Sequence, residues 1–456
     1  MAPKFGTSGL RGLATELTAE LVAAHVRGFL AACPTGGAVW LGRDLRASSP
    51  RIAGDVTQAL RAAGVEVIDA GVLPTPALAL AALQARQAAI MVTGSHIPGD
   101  RNGLKFYRPD GEIDKADEAA ILANTDTVPG RSGPVGALRQ APDTARLWTG
   151  RARAWGAGAL SGLRLGVWQH SSVARDLLPG VLEALGAEVV TLDRAEDFVP
   201  VDTEAVGAET LARLAGWVAE HGLDALVSTD GDGDRPLVID ETGAMVPGDV
   251  LGPLAARALG AGTVVTPVSS NGVVDRMGFT VIRTRIGSPP VIAGMAGQTR
   301  ALGYEPNGGL LLGYDAQGPD GPLPALATRD SLVPILAPLA LAKAGGLALS
   351  ALVATLPLGH VTRDRIAGIA PARAEALMAR LAADRAAREA LTGAPETALD
   401  LTDGLRMTDA TGRITHVRPS QNAPEFRVYC EAKDPRTAHE TVARVIAALT
   451  GQLKDS

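Results

Sequence analysis

Short apolar runs that end in glycine-bearing loops recur along this chain, each followed by helical spacing. Ala38-Val39-Trp40-Leu41 leads through a helical stretch around Ala59-Leu60-Arg61 to Gly64, and Val65-Glu66-Val67-Ile68 then reads as a second strand. Leu163 to Trp168 leads through Val181-Leu182-Glu183-Ala184-Leu185 to Gly186 and the strand Ala187-Glu188-Val189-Val190. Thr263-Val264-Val265 leads through a helix at Val273-Val274-Asp275-Arg276 to Gly278 and Phe279-Thr280-Val281-Ile282. Glycine after helical spacing is a C-cap signature, and a strand that returns after a helix runs parallel to the first. Three such βαβ units, roughly a hundred residues apart, predict three related α/β domains. The last hundred residues differ. Arg373, Arg380, Arg385 and Arg388 alternate with Glu375, Asp384 and Glu389, predicting one solvated helix from Pro371 to about Leu391. Strands such as Phe426–Cys430 and a closing helix from Thr437 to Leu449 complete a smaller α+β domain. The expected fold class is α/β: domains over 1–155, 156–248 and 249–361, with the α+β domain over 362–456.

Composition narrows the class. A chain of 456 residues exceeds what one hydrophobic core serves, and 46% apolar with 20% charged residues suits a folded soluble protein. A net charge of -6 argues against general nucleic-acid binding but leaves room for an anionic small substrate. Cys33 and Cys430 have no metal-ligand spacing, and a reducing cytoplasm is the default. The opening residues show no signal peptide. The most membrane-like stretch, Val333 to Leu358, is interrupted by Pro334, Pro338, Lys343 and Gly345-Gly346. A buried helix plus a second apolar segment is therefore expected, and no membrane partner.

Five loops carry chemistry. Phe5-Gly6-Thr7-Ser8-Gly9-Leu10-Arg11-Gly12 offers glycines for close backbone approach to an anion and an arginine to fork onto phosphate. Gly42-Arg43-Asp44-Leu45-Arg46, at the end of the first strand, suits either a ligand contact or a structural ion pair. Thr93-Gly94-Ser95-His96-Ile97-Pro98 ends a buried strand, so Ser95 could hold a phosphoryl group, with His96 and Lys105 at hand to manage charge and protons. A phosphoserine brings about -1.5 to -2 charges and calls for cations. The third loop, Asp230-Gly231-Asp232-Gly233-Asp234-Arg235, places three carboxylates at alternate positions. An EF-hand is excluded, because Arg235 stands where that loop needs glycine and strands flank the segment. With one phosphate oxygen on Ser95 and water completing the shell, Mg²⁺ is the natural ion for Asp230, Asp232 and Asp234. In the fourth loop, Gly303 to Gly309, Glu305 and Asn307 can read neighbouring sugar hydroxyls, and Arg285 lies upstream. In the fifth, Arg418-Pro419-Ser420-Gln421-Asn422 with Arg427 makes a phosphate clamp read as free of nearby acid, with Glu425 facing away.

In this order the loops resemble those of the α-D-phosphohexomutases, the phosphomannomutases and phosphoglucomutases, over essentially the whole chain. Phe5 to Gly12 is similar to the family's F-G-T-S-G-[IL]-R-G, Thr93 to Pro98 to T-A-S-H-N-P, and Asn102-Gly103-Leu104-Lys105 to N-G-x-K. Asp230 to Arg235 matches D-G-D-G-D-R, and Glu305, Asn307 and Gly308 fall on G-E-x-S-G-H. Arg418, Ser420 and Arg427 fall on R-x-S-G-T-E-P-x-x-R. The resemblance implies four domains around one central cleft and a phosphoserine mutase of the bacterial phosphomannomutase branch, passing through a hexose 1,6-bisphosphate. It implies Ser95, His96, Lys105 and Arg11 as catalytic residues. Thr7, Arg235, Arg285, Glu305, Asn307, Gly308, Arg418, Ser420, Asn422 and Arg427 would hold the hexose phosphate. Departures stand at Gly94, Ile97, Asn307, Gly309 and Gln421-Asn422-Ala423, and those at 307 and 309 bear on which hexose is preferred. Phosphoglucomutase, phosphoglucosamine mutase and a non-catalytic sugar-phosphate binder on the same scaffold are the rival readings.

Overall fold

The computed structural model describes residues 3–6, 9–126, 134–420 and 425–454. The chain divides into two compact units, one of residues 1–262 with 287–353, the other of 263–286 with 354–456.

In the first unit the strand Ala38–Arg43 lies inside a large sheet, parallel to both Glu66–Val72 and Ala88–Val92. Ala88–Val92 is buried at every position, as its unbroken apolar run demands of a strand covered on both faces. Arg101–Arg108 pairs antiparallel on its other side, so the segment between these two strands, which carries Ser95, leaves and re-enters one sheet. Helix Ala19–Ala32 starts at Thr18, whose side chain accepts from the Leu21 amide, and buries Val22, Val26 and Phe29. A second sheet runs Glu188–Arg194, Arg164–His170, Ala225–Thr229, Pro236–Asp240. Its last two strands form an antiparallel hairpin whose turn is the aspartate loop. Ala301–Tyr304, Leu310–Leu312 and Leu326–Asp330 pair antiparallel, with the sugar-loop candidate between the first two. Helices Leu332–Ala344 and Leu349–Ala354 occupy the most hydrophobic stretch, and no described helix is long and apolar enough to cross a membrane.

The second unit holds an antiparallel sheet in the order His360–Ala367, Glu425–Ala432, Ile414–Pro419, Leu405–Asp409, Glu396–Asp400. Phe426, Val428 and Cys430 pack there against Ala438, Val442 and Val445 of the closing helix Pro435–Lys454. It also contains the parallel pair Thr263–Pro267 and Thr280–Thr284.

All three expected strand pairs are parallel. The glycine before each second strand has left-handed φ: 73° at Gly64, 95° at Gly186, 82° at Gly278, which side chains rarely adopt. Two expectations need correction. The third unit has only a short 3₁₀ turn, Gly272–Arg276, where a helix was expected. The helix from Pro371 is two, Pro371–Ala383 and Arg385–Thr392, because Asp384 turns extended and its side chain accepts from Ala387 N to cap the second.

Candidate functional site

Ser95 lies at the end of the buried strand with φ 53°, a left-handed conformation that costs a side-chain-bearing residue about 1–3 kcal/mol. Local bonds offset that cost. The Thr93 hydroxyl accepts from the Ser95 amide at 2.8 Å and itself donates to Asp44 at 2.8 Å. Arg46, with no side-chain exposure, holds the outside of the loop. Its guanidinium donates to the carbonyls of Ser95 (2.7 Å), Ile97 (2.6 Å), Pro98 (2.6 Å) and Arg101 (2.9 Å), and to Asp44 (3.1 Å). The Phe198 ring covers it, 3.9 Å from Cζ. Any side chain at Gly94 would put a Cβ 2.7 Å from Arg46 Cζ, which explains glycine beside the serine. Of the two readings open for Gly42 to Arg46, the structural ion pair is the one formed.

The three aspartates of the turn are buried, with one oxygen of each lying within 4.8 Å of the others. Ser95 Oγ donates to Asp230 Oδ2 at 2.7 Å, so hydroxyl and acidic triplet form one site. Lys105 Nζ reaches Asp232 at 2.6 Å and Asp234 at 2.7 Å, while Thr75 Oγ1 donates to Asp232 at 2.6 Å. Arg235 Nε stands 4.0 Å from Asp230 and 3.8 Å from Asp234. Burial and its neighbours Asp232 and Asp234 hold the Asp230 carboxyl well above its ordinary range. Burial pushes Asp232 the same way, but Lys105 and Thr75 outweigh it and keep that carboxylate low. Asp232 Oδ1 and Asp234 Oδ1 are buried yet accept no hydrogen bond. Orphaned carboxylate oxygens around mutually repelling acids fit a hard divalent cation.

His96 Nδ1 lies 3.4 Å from Ser95 Oγ. Burial, then Arg235 and Arg11, drive its pKa far below the ordinary value, so the ring is neutral. Burial and the nearby Arg235 and Arg329 lower the Arg11 guanidinium to about 10, still charged at neutral pH.

The sugar-loop candidate is a tight turn. Gly308 has φ 88°, and Glu305 N donates to Gly309 O at 3.1 Å. Asn307 turns its side-chain oxygen onto Gly309 N at 3.0 Å, leaving its amide nitrogen as the donor for a ligand. Glu305 is buried, accepting from Ser288 Oγ at 3.0 Å and approached by Arg329 Nη1 at 3.4 Å. Nothing in the sequence pointed to Arg329, whose Nη2 also pairs with Asp234 at 2.9 Å. Thr75, which opens the helix Thr75–Ala85, and Phe198, in a loop, were missed too, because neither belongs to a motif.

In the second unit Arg418 Nε lies 3.3 Å from Asp403 and Arg427 Nε 3.0 Å from Glu425. The expectation of a clamp without nearby acid is therefore corrected, because a buried or half-buried guanidinium needs a counter-charge and each of these has one. Arg285 Nε donates to Thr402 O at 3.2 Å, and Ser420 N to Glu425 O at 2.8 Å. Thr7 and Asn422 lie outside the described residues.

Comparison with known proteins agrees with this geometry. The family models described as phosphoglucomutase/phosphomannomutase, alpha/beta/alpha domains I, II and III match residues 2–130, 151–243 and 247–358. A phosphomannomutase of Sinorhizobium fredii is 44% identical, with 99% of this chain and all of that protein covered. One of Salmonella muenchen is 39% identical over 98% of this chain and 96% of its own length. A solved phosphoglucomutase/phosphomannomutase family protein of Burkholderia thailandensis shares the fold with a TM-score of 0.79 at 22% identity, covering 98% of this chain and 97% of that one. With the Ser95 hydroxyl bonded to a buried aspartate triplet and three consecutive domain models matched, the chain belongs to the phosphoglucomutase/phosphomannomutase family, the α-D-phosphohexomutases.

Proposed function

We propose that this chain is a phosphomannomutase that interconverts mannose 1-phosphate and mannose 6-phosphate through a phosphorylated Ser95. The observation that carries the reading is the 2.7 Å contact between the buried Ser95 Oγ and Asp230. Full-length similarity to two phosphomannomutases supports the choice of hexose. Asp230, Asp232 and Asp234 would hold Mg²⁺, which when bound supplies positive charge against the transferring phosphoryl group. The remaining work falls to the chain. Ser95, set by Thr93 and Arg46, presents its oxygen in one orientation. Arg11 and Arg235 place fixed positive charge beside it, where charge develops on phosphoryl oxygens. Neutral His96 lies beside the Ser95 oxygen as a hydrogen-bond partner, and Lys105 balances the acids that face it. Glu305 and Asn307 read sugar hydroxyls, while Arg418, Ser420 and Arg427 with Arg285 grip the phosphate that is not transferred. Both ends of a 1,6-bisphosphate must visit Ser95 in turn, so the clamp holds phosphate and not one face of the sugar.

Mutase flux from mannose 1-phosphate, primed with a trace of mannose 1,6-bisphosphate, tests the reading. Wild type turns over and Ser95→Ala loses at least a thousandfold; near-normal flux in Ser95→Ala rejects it. The same assay with glucose and glucosamine 1-phosphates decides the hexose, and the 31% identical phosphoglucosamine mutase of Rhodococcus erythropolis makes that comparison worth running.

A further inference from the structure

Arg329, on the strand Leu326–Asp330, is buried between two loops that the mutase reading gives separate tasks. Nη2 lies 2.9 Å from Asp234 of the aspartate loop, and Nη1 lies 3.4 Å from Glu305 of the sugar loop. Asp234 Oδ2 also takes Lys105 at 2.7 Å, so two cations already neutralise the carboxylate whose other oxygen, Oδ1, is left open for a metal. Glu305 is pinned from the other side by Ser288, on the same Oε2. The sugar loop is shaped around the arginine stem. A Cβ at Gly309 would stand 2.8 Å from Arg329 Cδ and 2.9 Å from Cγ, so residue 309 must be glycine for this side chain to pass. The family motif quoted above has histidine there.

We propose that Arg329 is a specificity-determining residue that couples the metal loop to the sugar loop, presenting hydrogen-bond donors beside the Glu305 acceptor to one hydroxyl of the hexose. The proposal rests on the mutase reading. A guanidinium has donors only and a carboxylate acceptors only, so side by side they orient a hydroxyl that must both accept and donate. A donor of this kind lost from a buried site changes discrimination between hydroxyl epimers by about ten- to a hundredfold.

The test compares wild type with Arg329→Gln and Arg329→Lys in two assays. In the first, kcat/KM is measured on mannose 1-phosphate and glucose 1-phosphate. The ratio between the two sugars is expected to shift at least tenfold in Arg329→Gln and less in Arg329→Lys. In the second, Mg²⁺ affinity is measured by calorimetry without substrate. It is expected to tighten severalfold in Arg329→Gln, since a positive charge leaves Asp234. Equal losses on both sugars, or Mg²⁺ affinity unchanged or weakened, would mean that Arg329 only supports the loops, and the proposal falls. Should Arg329→Gln fail to fold, a wild-type sugar ratio in Arg329→Lys overturns it as well, because one ammonium cannot reproduce the two-pronged fork. A wild-type enzyme silent on every hexose phosphate removes the mutase reading itself. A working wild type with an unmoved ratio removes this inference alone.

Discussion

Replacing Arg46 by lysine is the sharpest test of how the serine loop is held. A guanidinium has five N–H donors, and here all five are used: four on carbonyls of the Ser95–Arg101 segment and one on Asp44. Lysine offers three donors from one point, so at least two of these bonds disappear and buried carbonyls are left without partners. At about 1.5–3 kcal/mol for each hydrogen bond to a charged group, two lost bonds cost about 3–6 kcal/mol. The charge survives in Arg46→Lys, so Asp44 is not abandoned and the protein should still fold. Urea unfolding followed by tryptophan fluorescence reads the stability. Hydrogen exchange of the amides at 95–101 reads the loop, and mutase flux reads the consequence for Ser95. We expect faster exchange confined to that segment and a loss of flux of about a hundredfold, the order reached when a reacting group is misplaced by 1 Å. Wild-type exchange at 95–101 together with flux within twofold of wild type would refute the reasoning.

Gly94→Ala should act in the same direction through the same contact, since its Cβ meets the Arg46 guanidinium at 2.7 Å; thermal melting and flux should fall together. Magnesium should raise thermal stability, by about 2.7 kcal/mol at a hundred times its dissociation constant, and Asp232→Asn should blunt that rise in a melting series with and without EDTA. His170 is buried against Ser228 and Thr229, and burial lowers its pKa from 6.5 to about 4. The unfolded chain therefore takes up the proton first. Stability from this group is intact above pH 6.5, is lost as pH falls toward 4, and levels off below, at a total of roughly 3 kcal/mol. Urea midpoints between pH 7 and 4 should fall less steeply in His170→Gln than in wild type.

The sequence discloses most of the first unit's site because the relevant residues sit on loops bounded by strong strands. An apolar run such as Ala88–Val92, broken by Gly94 and Pro98, reads as a buried strand, so Ser95 falls in the loop at its carboxyl end. The Asp230–Asp234 spacing is intelligible on charge repulsion alone. The parallel pairs are legible for a similar reason: glycines 64, 186 and 278 take left-handed φ just before each second strand, whether a helix or a 3₁₀ turn precedes them. What stayed hidden depends on distant segments meeting. Arg329 lies on an ordinary strand, and only the folded chain brings it to Asp234 and Glu305. The break at Asp384 is invisible to charge periodicity, because an aspartate suits both a helix surface and an N-cap. The pairing of Arg418 with Asp403 escaped because the acid comes from the turn before a neighbouring strand, fifteen residues away in sequence.

The most direct check on the central claim is intact and peptide mass spectrometry of the protein after incubation with a hexose 1,6-bisphosphate and Mg²⁺. A phosphomutase of this design gains about 80 Da, one phosphoryl group, on the peptide that carries Ser95, and loses it again on exposure to excess hexose monophosphate. A chain that turns substrate over while Ser95 stays unmodified, or that carries the phosphate on another residue, would contradict the account.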